Sequence, residues 1–199
     1  MISVAKILPV SEVNGPGKRC VVWVQGCPKR CPGCWNPEFL SFEKSVELAT
    51  PQELVTWISG MTNDFRDIEG VTFSGGEPFA YAEDLSEAAE ILRKQNLSIM
   101  SYSGFTLEEI KLRSKFNVRL LEALDILVDG EYKRELAFNR LWRSSSNQKV
   151  HFLTQRYVNY QSMMDQEYRE LEFTLNINQI ITTGFPEISI LKNLTNHRE

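Results

Sequence analysis

The chain has 199 residues, of which 42% are hydrophobic and 24% are charged, and its formal net charge is −4. These values are typical of one ordinary globular domain, and the absence of a long basic run argues against a nucleic-acid partner. No stretch is long and apolar enough to span a membrane, and the first residues lack a signal-peptide pattern. Four cysteines, three of them in one loop, do not suggest a disulfide framework, so we expect a reducing, cytoplasmic setting.

Strand and helix patterns alternate along the chain. Thr50 and Thr106 each precede a glutamate by three residues, which is the pattern of a capping box at a helix start, and we expect Pro9 to end the first strand. Strand patterns occur at residues 2–8, 20–24, 71–74, 97–102, 126–128 and 149–153, and helical patterns at 51–61, 85–92 and 106–115. This alternation implies β–α–β units, and the chain is short for an eight-stranded barrel. We therefore predict an α/β fold, an open partial β/α barrel with parallel strands.

The pattern weakens after about residue 140. We expect a loop over 140–147, and residues 157–170 have no clear assignment. The alternating segments 172–176 and 179–183 predict a carboxyl-terminal hairpin, and the polar residues 192–199 are expected to be frayed. We predict a single domain over 1–199, with a core of about 1–155 and an extension of about 156–199.

Three cysteines follow the second predicted strand with C-x3-C-x2-C spacing. Cys27, Cys31 and Cys34, called here the loop cysteines, lie among glycines and prolines that exclude a helix. Thiolates from one turning loop are suited to a metal ion or an iron–sulfur cluster, and three ligands leave one coordination position open. Zinc completed by a distant histidine and unrelated buried thiols are the alternatives. Cys20 is expected to be a buried free thiol, and His151 to be structural.

A second motif, Gly75-Gly76-Glu77-Pro78, ends the strand at 71–74. Ser103 and Asp129 end two later predicted strands. Because the carboxyl ends of parallel strands lie at one edge of a sheet, we expect these residues and the cysteine loop to lie together.

The two motifs in this order resemble the radical S-adenosylmethionine (SAM) superfamily. Within it, GPGKRCVVWVQGCPKRCPGCWNPE at 15–38 is similar to activating enzymes of glycyl radical enzymes, above all to anaerobic ribonucleotide reductase activating proteins. SYSGFTLEEI at 101–110, DILVDGEYKREL at 125–136 and WRSSSNQ at 142–148 support the same branch. One departure is that Gly33 stands where much of the superfamily has an aromatic residue, and Trp35 follows the last cysteine instead.

The resemblance implies a specific chemistry. The loop cysteines would hold three irons of a [4Fe–4S] cluster, and the fourth iron would bind SAM. Reductive cleavage of SAM then gives methionine and a 5′-deoxyadenosyl radical. The target would be a backbone glycine of a partner, a glycyl radical enzyme such as anaerobic ribonucleotide reductase, and the electron donor would be of the flavodoxin or ferredoxin type.

The resemblance also implies roles in SAM binding for residues outside the cysteines. The glycines would bring the backbone close to the ligand, and Glu77 would bind the SAM amino group or hold its loop. Ser103 would contact the methionine carboxylate and Asp129 the ribose, although both residues are common turn formers. The implied set is Trp35, Asn36, Gly75, Gly76, Glu77, Pro78, Ser103 and Asp129, where Trp35 would cover the adenine or the cluster or only pack on the barrel.

Two other classes of function stay open on the sequence. The first is a radical SAM enzyme that modifies a small molecule or a ribosomal peptide, because the motifs build the radical and do not specify its target. The second is a non-catalytic iron–sulfur or zinc module, against which the missing fourth ligand and the GGEP motif argue.

Overall fold

A seven-stranded mixed sheet forms the centre of the protein. The computed structural model describes residues 1–44, 46–65, 67–168, 170–176 and 179–184. The sheet strands are β1 (Ile2–Ser11), β2 (Arg19–Val24), β3 (Glu47–Ala49), β4 (Gly70–Gly75), β5 (Ser98–Tyr102), β6 (Ile126–Asp129) and β9 (Lys149–Phe152). They lie in the order β3-β1-β2-β4-β5-β6-β9. Because β3 and β9 are at opposite edges, the sheet is open, as predicted for a partial barrel.

The four central strands, β2, β4, β5 and β6, are parallel, and the flanking strands are antiparallel. The prediction of parallel strands is therefore confirmed for the centre only. Pro9 does not end β1, which continues to Ser11. Proline is tolerated there because β3 pairs only with Ile2–Val4, and the pairing with β2 shifts register between Leu8 and Ser11.

Four helices accompany the central strands: α1 (Pro51–Thr62), α2 (Ala82–Lys94), α3 (Leu107–Arg113) and α4 (Lys115–Glu122). Both predicted capping boxes are present, at Thr50 and at Thr106. The prediction of a single helix over 106–115 is wrong. The structure has two helices, because Ser114 is extended and its hydroxyl accepts from Asn117 N as the cap of α4. A serine that accepts a backbone N–H starts a helix more readily than it continues one.

The carboxyl-terminal third adds two hairpins. β7 (Ala137–Arg140) and β8 (Arg143–Ser145) pair where a loop was predicted. Residues Gln155–Met163 form a 3-10 helix, and β10 (Leu171–Asn176) pairs with β11 (Gln179–Gly184) as the predicted hairpin. The frayed tail predicted at 192–199 lies outside the described residues. Among the described residues, no helix combines the length and apolar composition of a membrane span.

Side chains alternate between the two faces of the sheet. Val22, Val71 and Phe73 pack with the helices in the larger core cluster. On the other face, Met100 and Val128 pack with the β7–β8 hairpin and the 3-10 helix. The remaining part of that face packs with the carboxyl-terminal hairpin in a cluster of Leu8, Val21, Trp23, Phe39 and Ile181. Because both faces of the sheet are covered, a ligand has access to it at the carboxyl ends of the strands.

Candidate functional site

A cleft lies at the carboxyl ends of the parallel strands. Most of its described lining comes from the segments that follow β2, β4, β5 and β6, which the parallel arrangement brings together, and Asn14 and the end of β11 complete it. The lining includes the loop cysteines, Lys29, Trp35, Asn36, Gly75, Gly76, Glu77, Tyr102, Ser103, Gly104, Gly130, Glu131, Tyr132, Ser144 and Gln148. Of the residues predicted from the sequence, Pro78 and Asp129 are outside this lining.

The cysteine loop is anchored at its start by backbone hydrogen bonds. Gly26 N donates to Phe39 O at 2.8 Å, and Cys27 N donates to Leu40 O at 3.1 Å. Gly26 has φ +95°, a conformation that favours glycine, so the chain turns sharply at the end of β2. Cys27 is buried, whereas Cys31 and Cys34 are partly exposed. The loop therefore presents three thiols at the cleft from a fixed base.

Burial and nearby backbone N–H groups have opposite effects on the pKa of the three thiols. Burial raises the pKa of each loop cysteine, and the hydrogen bonds act in the opposite direction. Asn36 N donates to Cys34 Sγ at 3.4 Å. The N–H groups of Lys29 and Arg30 act to lower the pKa of Cys27, and that of Tyr132 acts to lower the pKa of Cys31. Such donors stabilise sulfur in its anionic form, the form that binds metal.

The thiols do not converge on a single point. Among the described residues, no three histidine, cysteine, aspartate or glutamate side chains are grouped as ligands of one metal ion. A [4Fe–4S] cluster binds each thiolate at a separate iron, so its ligands surround a larger space. Three thiols that line one cleft are a donor set that fits such a cluster.

The glycine motif is bound directly to the cysteine loop. Gly76 N donates to Val24 O at 2.8 Å, and Glu77 N donates to Gly26 O at 2.9 Å. A Cβ added to Gly76 would lie 2.7 Å from Gly26 C and 2.8 Å from Phe39 O. The absence of a side chain at Gly76 therefore allows two loops to pack closely. The role expected for Gly76 in the approach of a ligand stays a prediction.

Glu77 is fully buried, and both of its carboxylate oxygens are hydrogen-bonded. Oε1 accepts from Ser103 Oγ at 2.9 Å and from Phe79 N at 3.0 Å, and Oε2 accepts from Gly104 N at 2.7 Å. Burial raises its pKa, while these donors and the charge of Lys29 oppose that shift. Glu77 thus holds its own loop and the end of β5, which is one of the two roles expected for it.

Ser103 and Asp129 are occupied by contacts within the protein. The Ser103 hydroxyl donates to Glu77 and accepts from Phe105 N. Asp129 Oδ2 accepts from Leu107 N at 2.6 Å and lies 3.0 Å from His151 Nε2. Burial alone would raise the pKa of Asp129, but the His151 and Leu107 contacts outweigh it and lower the pKa. Asp129 thereby fixes the start of α3.

The remaining predicted residues lie beside the cysteine loop. The Trp35 ring makes an edge contact with Tyr132 at a centroid distance of 6.1 Å, and its buried Nε1 has no hydrogen-bond partner among the described residues. Asn36 Nδ2 lies 3.5 Å from Gly75 O and links the two motifs. Pro78 is buried at the first position of a short 3-10 helix, where its missing N–H has no cost. Cys20 is a buried free thiol, and burial raises its pKa to about 12.

Several residues of the cleft were not predicted from the sequence. Lys29 lies between two cysteines, with its ammonium 4.6 Å from the centre of the Phe105 ring. Glu131 and Tyr132 follow Gly130 over the cysteine loop. The sequence feature that pointed to Glu131 and Tyr132 was the similarity of 125–136 to the activating-protein branch. It indicated the segment but not which side chains face the cleft. Asn147 and Gln148 carried a similar signal.

Comparisons with known proteins agree with this site. Residues 13–151 match the family described as a 4Fe-4S single cluster domain. Three similar relatives carry the same description, anaerobic ribonucleoside-triphosphate reductase-activating protein. Those from Enterobacteria phage T4 and Escherichia coli K12 are each 30% identical over 73% of this chain, covering 90% and 95% of the relative. The relative from Vibrio cholerae is 33% identical over 73% of this chain and 95% of its own length.

The structure of QueE from Escherichia coli aligns with 62% of this chain and 66% of its own, at 17% identity and a TM-score of 0.37. The assignment of this chain to a family rests on the sequence matches and not on this structural similarity. An α/β sheet with a cysteine-lined cleft and a match to a 4Fe-4S single cluster domain define an iron–sulfur protein. The chain belongs to the family of anaerobic ribonucleoside-triphosphate reductase-activating proteins. The resemblance predicted from the motifs is thereby confirmed.

Proposed function

We propose that this protein cleaves SAM reductively and installs a glycyl radical on a partner enzyme, an anaerobic ribonucleotide reductase or a relative. The observation that carries the proposal is that three thiols and the Gly75-Gly76 backbone line one cleft. Family membership supports the nature of the target, since the relatives are described as activating a ribonucleoside-triphosphate reductase. No observation among the described residues favours a small molecule, a ribosomal peptide or a non-catalytic module.

The loop cysteines would hold a [4Fe–4S] cluster, and Cys20 would not take part because it is buried in the core. When bound, the reduced cluster supplies the electron that cleaves SAM and leaves a 5′-deoxyadenosyl radical. The protein's own contribution is to hold the thiols, shape the cleft and exclude water. The hydrogen bond from Asn36 N to Cys34 supports this role, because hydrogen bonds to sulfur help set a cluster's potential.

The SAM site would lie between the cysteine loop and the ends of β4, β5 and β6. Gly75 and Gly76 offer backbone without side chains, and the unpartnered Trp35 Nε1 is a donor beside the cleft. Asn36 and Pro78 would keep the loops in place around the ligand. Glu77, Ser103 and Asp129 would act mainly by holding the surrounding backbone, since their oxygens already have protein partners.

The open sheet supports a protein target. A cleft at the edge of an open sheet can admit a loop of a large partner, which would exclude water from the radical as it enters. Glycine is suited to this reaction because it has no side chain to obstruct the approach of the deoxyadenosyl carbon.

We further propose a flavodoxin or ferredoxin-type electron donor and a reducing, cytoplasmic setting, which the four free thiols support. The chain would form a single domain over 1–199. The packing of Ile181 in a cluster with Trp23 and Phe39 supports including the carboxyl-terminal hairpin in it.

The deciding experiment combines the reduced, cluster-loaded protein, SAM and an anaerobic ribonucleotide reductase of the same organism. Electron paramagnetic resonance should detect a glycine-centred doublet on the reductase, and chromatography should detect 5′-deoxyadenosine. Omission of SAM serves as the control. Cleavage of SAM without a doublet on the reductase, together with turnover of a free small molecule or peptide, would refute the target. The absence of both iron and SAM cleavage would refute the enzyme class.

A further inference from the structure

Among the described residues, three charged side chains line the cleft: Lys29, Glu77 and Glu131. Two of them have partners within the protein. The Lys29 ammonium lies 3.5 Å from Glu109 Oε1 and 4.6 Å from the centre of the Phe105 ring, and both carboxylate oxygens of Glu77 accept hydrogen bonds. The Glu131 carboxylate forms no hydrogen bond or ion pair within the part of the chain that the structure describes. The cleft lining therefore carries one negative charge that has no protein partner there.

The backbone that carries Glu131 is fixed at the end of β6. Asn147 Nδ2 donates to Glu131 O at 2.8 Å, and Gln148 Nε2 donates to Gly130 O at 3.1 Å. Gly130 has φ +98°, so the chain turns there in a conformation that favours glycine. The next residue after Glu131, Tyr132, also lines the cleft. Two side-chain hydrogen bonds on consecutive peptides therefore determine where the Glu131 side chain begins.

An unpaired carboxylate at this position is favourable only when a cation approaches it. Glu131 is partly buried, so water solvates its charge incompletely. Lys133 and Arg134 follow closely in the same loop, but within the described structure neither forms an ion pair with Glu131. SAM contains an ammonium group and a sulfonium group against one carboxylate, so its net charge is positive. The charge of this ligand is therefore complementary to the unpaired charge of the cleft.

We propose that the Glu131 carboxylate binds the positively charged methionine end of SAM. This inference rests on the proposed function, because it takes SAM as the ligand of the cleft. It gives Glu131 the recognition of positive charge that the sequence motif suggested for Glu77, whose oxygens already have protein partners. When SAM is cleaved reductively, the added electron neutralises the sulfonium and leaves the thioether of methionine. The same carboxylate therefore binds the cosubstrate more strongly than the products.

The first test measures SAM binding to the cluster-loaded, oxidised protein by isothermal titration calorimetry. Glu131→Gln removes the charge and keeps the shape of the side chain. We expect it to raise the dissociation constant for SAM by about tenfold or more, the factor that corresponds to one hydrogen bond between charged groups. Glu135→Gln, at an exposed position of the same loop outside the cleft lining, is the matched control and should leave the SAM affinity unchanged.

S-Adenosylhomocysteine distinguishes the two cations of SAM, because it keeps the ammonium group and has a neutral thioether in place of the sulfonium. Weaker binding of SAM alone in Glu131→Gln would assign the contact to the sulfonium. Weaker binding of both ligands would assign it to the ammonium group. Equal SAM affinity in Glu131→Gln and Glu135→Gln would overturn the proposal.

The second test follows urea denaturation of the protein without its cluster. Because the Glu131 carboxylate has no protein partner among the described residues, Glu131→Gln should leave the denaturation midpoint unchanged, as should Glu135→Gln. A lower midpoint in Glu131→Gln alone would show that the carboxylate stabilises the fold and would overturn the proposal. If the parent protein at full iron content binds no SAM, the proposed function fails together with this inference. If the parent binds SAM and Glu131→Gln binds it equally well, only this inference fails.

Discussion

Gly76 provides the sharpest test of how the two motifs are joined. Replacement by alanine adds one methyl group, and its nearest neighbours would be backbone atoms of the cysteine loop, with Gly26 C at 2.7 Å and Phe39 O at 2.8 Å. These atoms belong to segments that hydrogen-bond each other, so neither can move alone. We expect the GGEP segment to shift away from the cysteine loop.

The size of the effect follows from two contributions. Overpacking against a fixed backbone costs about 1–3 kcal/mol. The shift also weakens the hydrogen bonds from Gly76 N to Val24 O and from Glu77 N to Gly26 O. The loss of one such bond costs about 1 kcal/mol. Together these give a loss of about 2–4 kcal/mol in the free energy of unfolding. Because the shift weakens the bonds that hold the cysteine loop at Val24 and Gly26, iron binding should fall as well, so a variant at this position should not spare the cluster.

Denaturant titration of the protein without its cluster measures this free energy directly. Gly60→Ala is the matched control, because a Cβ at Gly60 meets nothing within 4 Å and the residue lies on an exposed part of α1. Alanine there should stabilise the helix by about 0.5–1 kcal/mol. Two variants with the same added methyl group should therefore change stability in opposite directions. Equal stability of Gly76→Ala and the parent protein would refute the close packing of the two loops.

Two further predictions concern the ligands and the pH dependence. Anaerobic reconstitution should give about four irons per chain. Alanine at any one loop cysteine should abolish iron binding, while Cys20→Ala should retain it. Iron analysis that shows loss of iron in Cys20→Ala and retention in a loop-cysteine variant would contradict the ligand assignment. Asp129→Asn should lower stability at neutral pH, because the native pKa of Asp129 lies below its ordinary value of 3.8. The stability that the Asp129 carboxylate contributes is complete above its unfolded pKa and is lost as the pH falls through its native pKa. The denaturation midpoints of parent and variant should therefore converge below about pH 4. A difference that stays constant with pH would argue against the His151 and Leu107 contacts.

Local signals in the sequence were sufficient for much of the fold. The capping boxes at Thr50 and Thr106 depend on residues three positions apart, and the structure contains both. The hairpin of β10 and β11 also follows from a local alternation. Strand direction at the sheet edges was less accessible, because β3 and β9 pair antiparallel with β1 and β6 through residues far apart in sequence. The β7–β8 hairpin was missed since its turn uses Trp142 at φ +58°, a position where glycine or asparagine would be the usual signal.

The site was predictable as a set of segments but less so as a set of contacts. Parallel strands require that the loops following β2, β4, β5 and β6 meet, and they do. The orientation of each side chain depends on tertiary partners that no local pattern specifies. Asp129 illustrates this, since its carboxylate is directed to the start of α3 and to His151 instead of the cleft lining. Asn147 and Gln148 illustrate the converse, because residues expected in a loop support the backbone over Cys31.

Glu77 explains why the two motifs form one structural unit although about 50 residues separate them. Its N–H is bonded to the cysteine loop at Gly26, and its carboxylate is bonded to the end of β5 at Ser103 and Gly104. A buried carboxylate is stable only when its oxygens are hydrogen-bonded, so each of these partners restricts where the glutamate can lie. Because the same residue fixes the cysteine loop, a ligand held by the Gly75-Gly76 backbone would keep a constant distance from the thiols. For a reaction that transfers one electron and then one hydrogen atom, that constant geometry is the main contribution that protein residues can make.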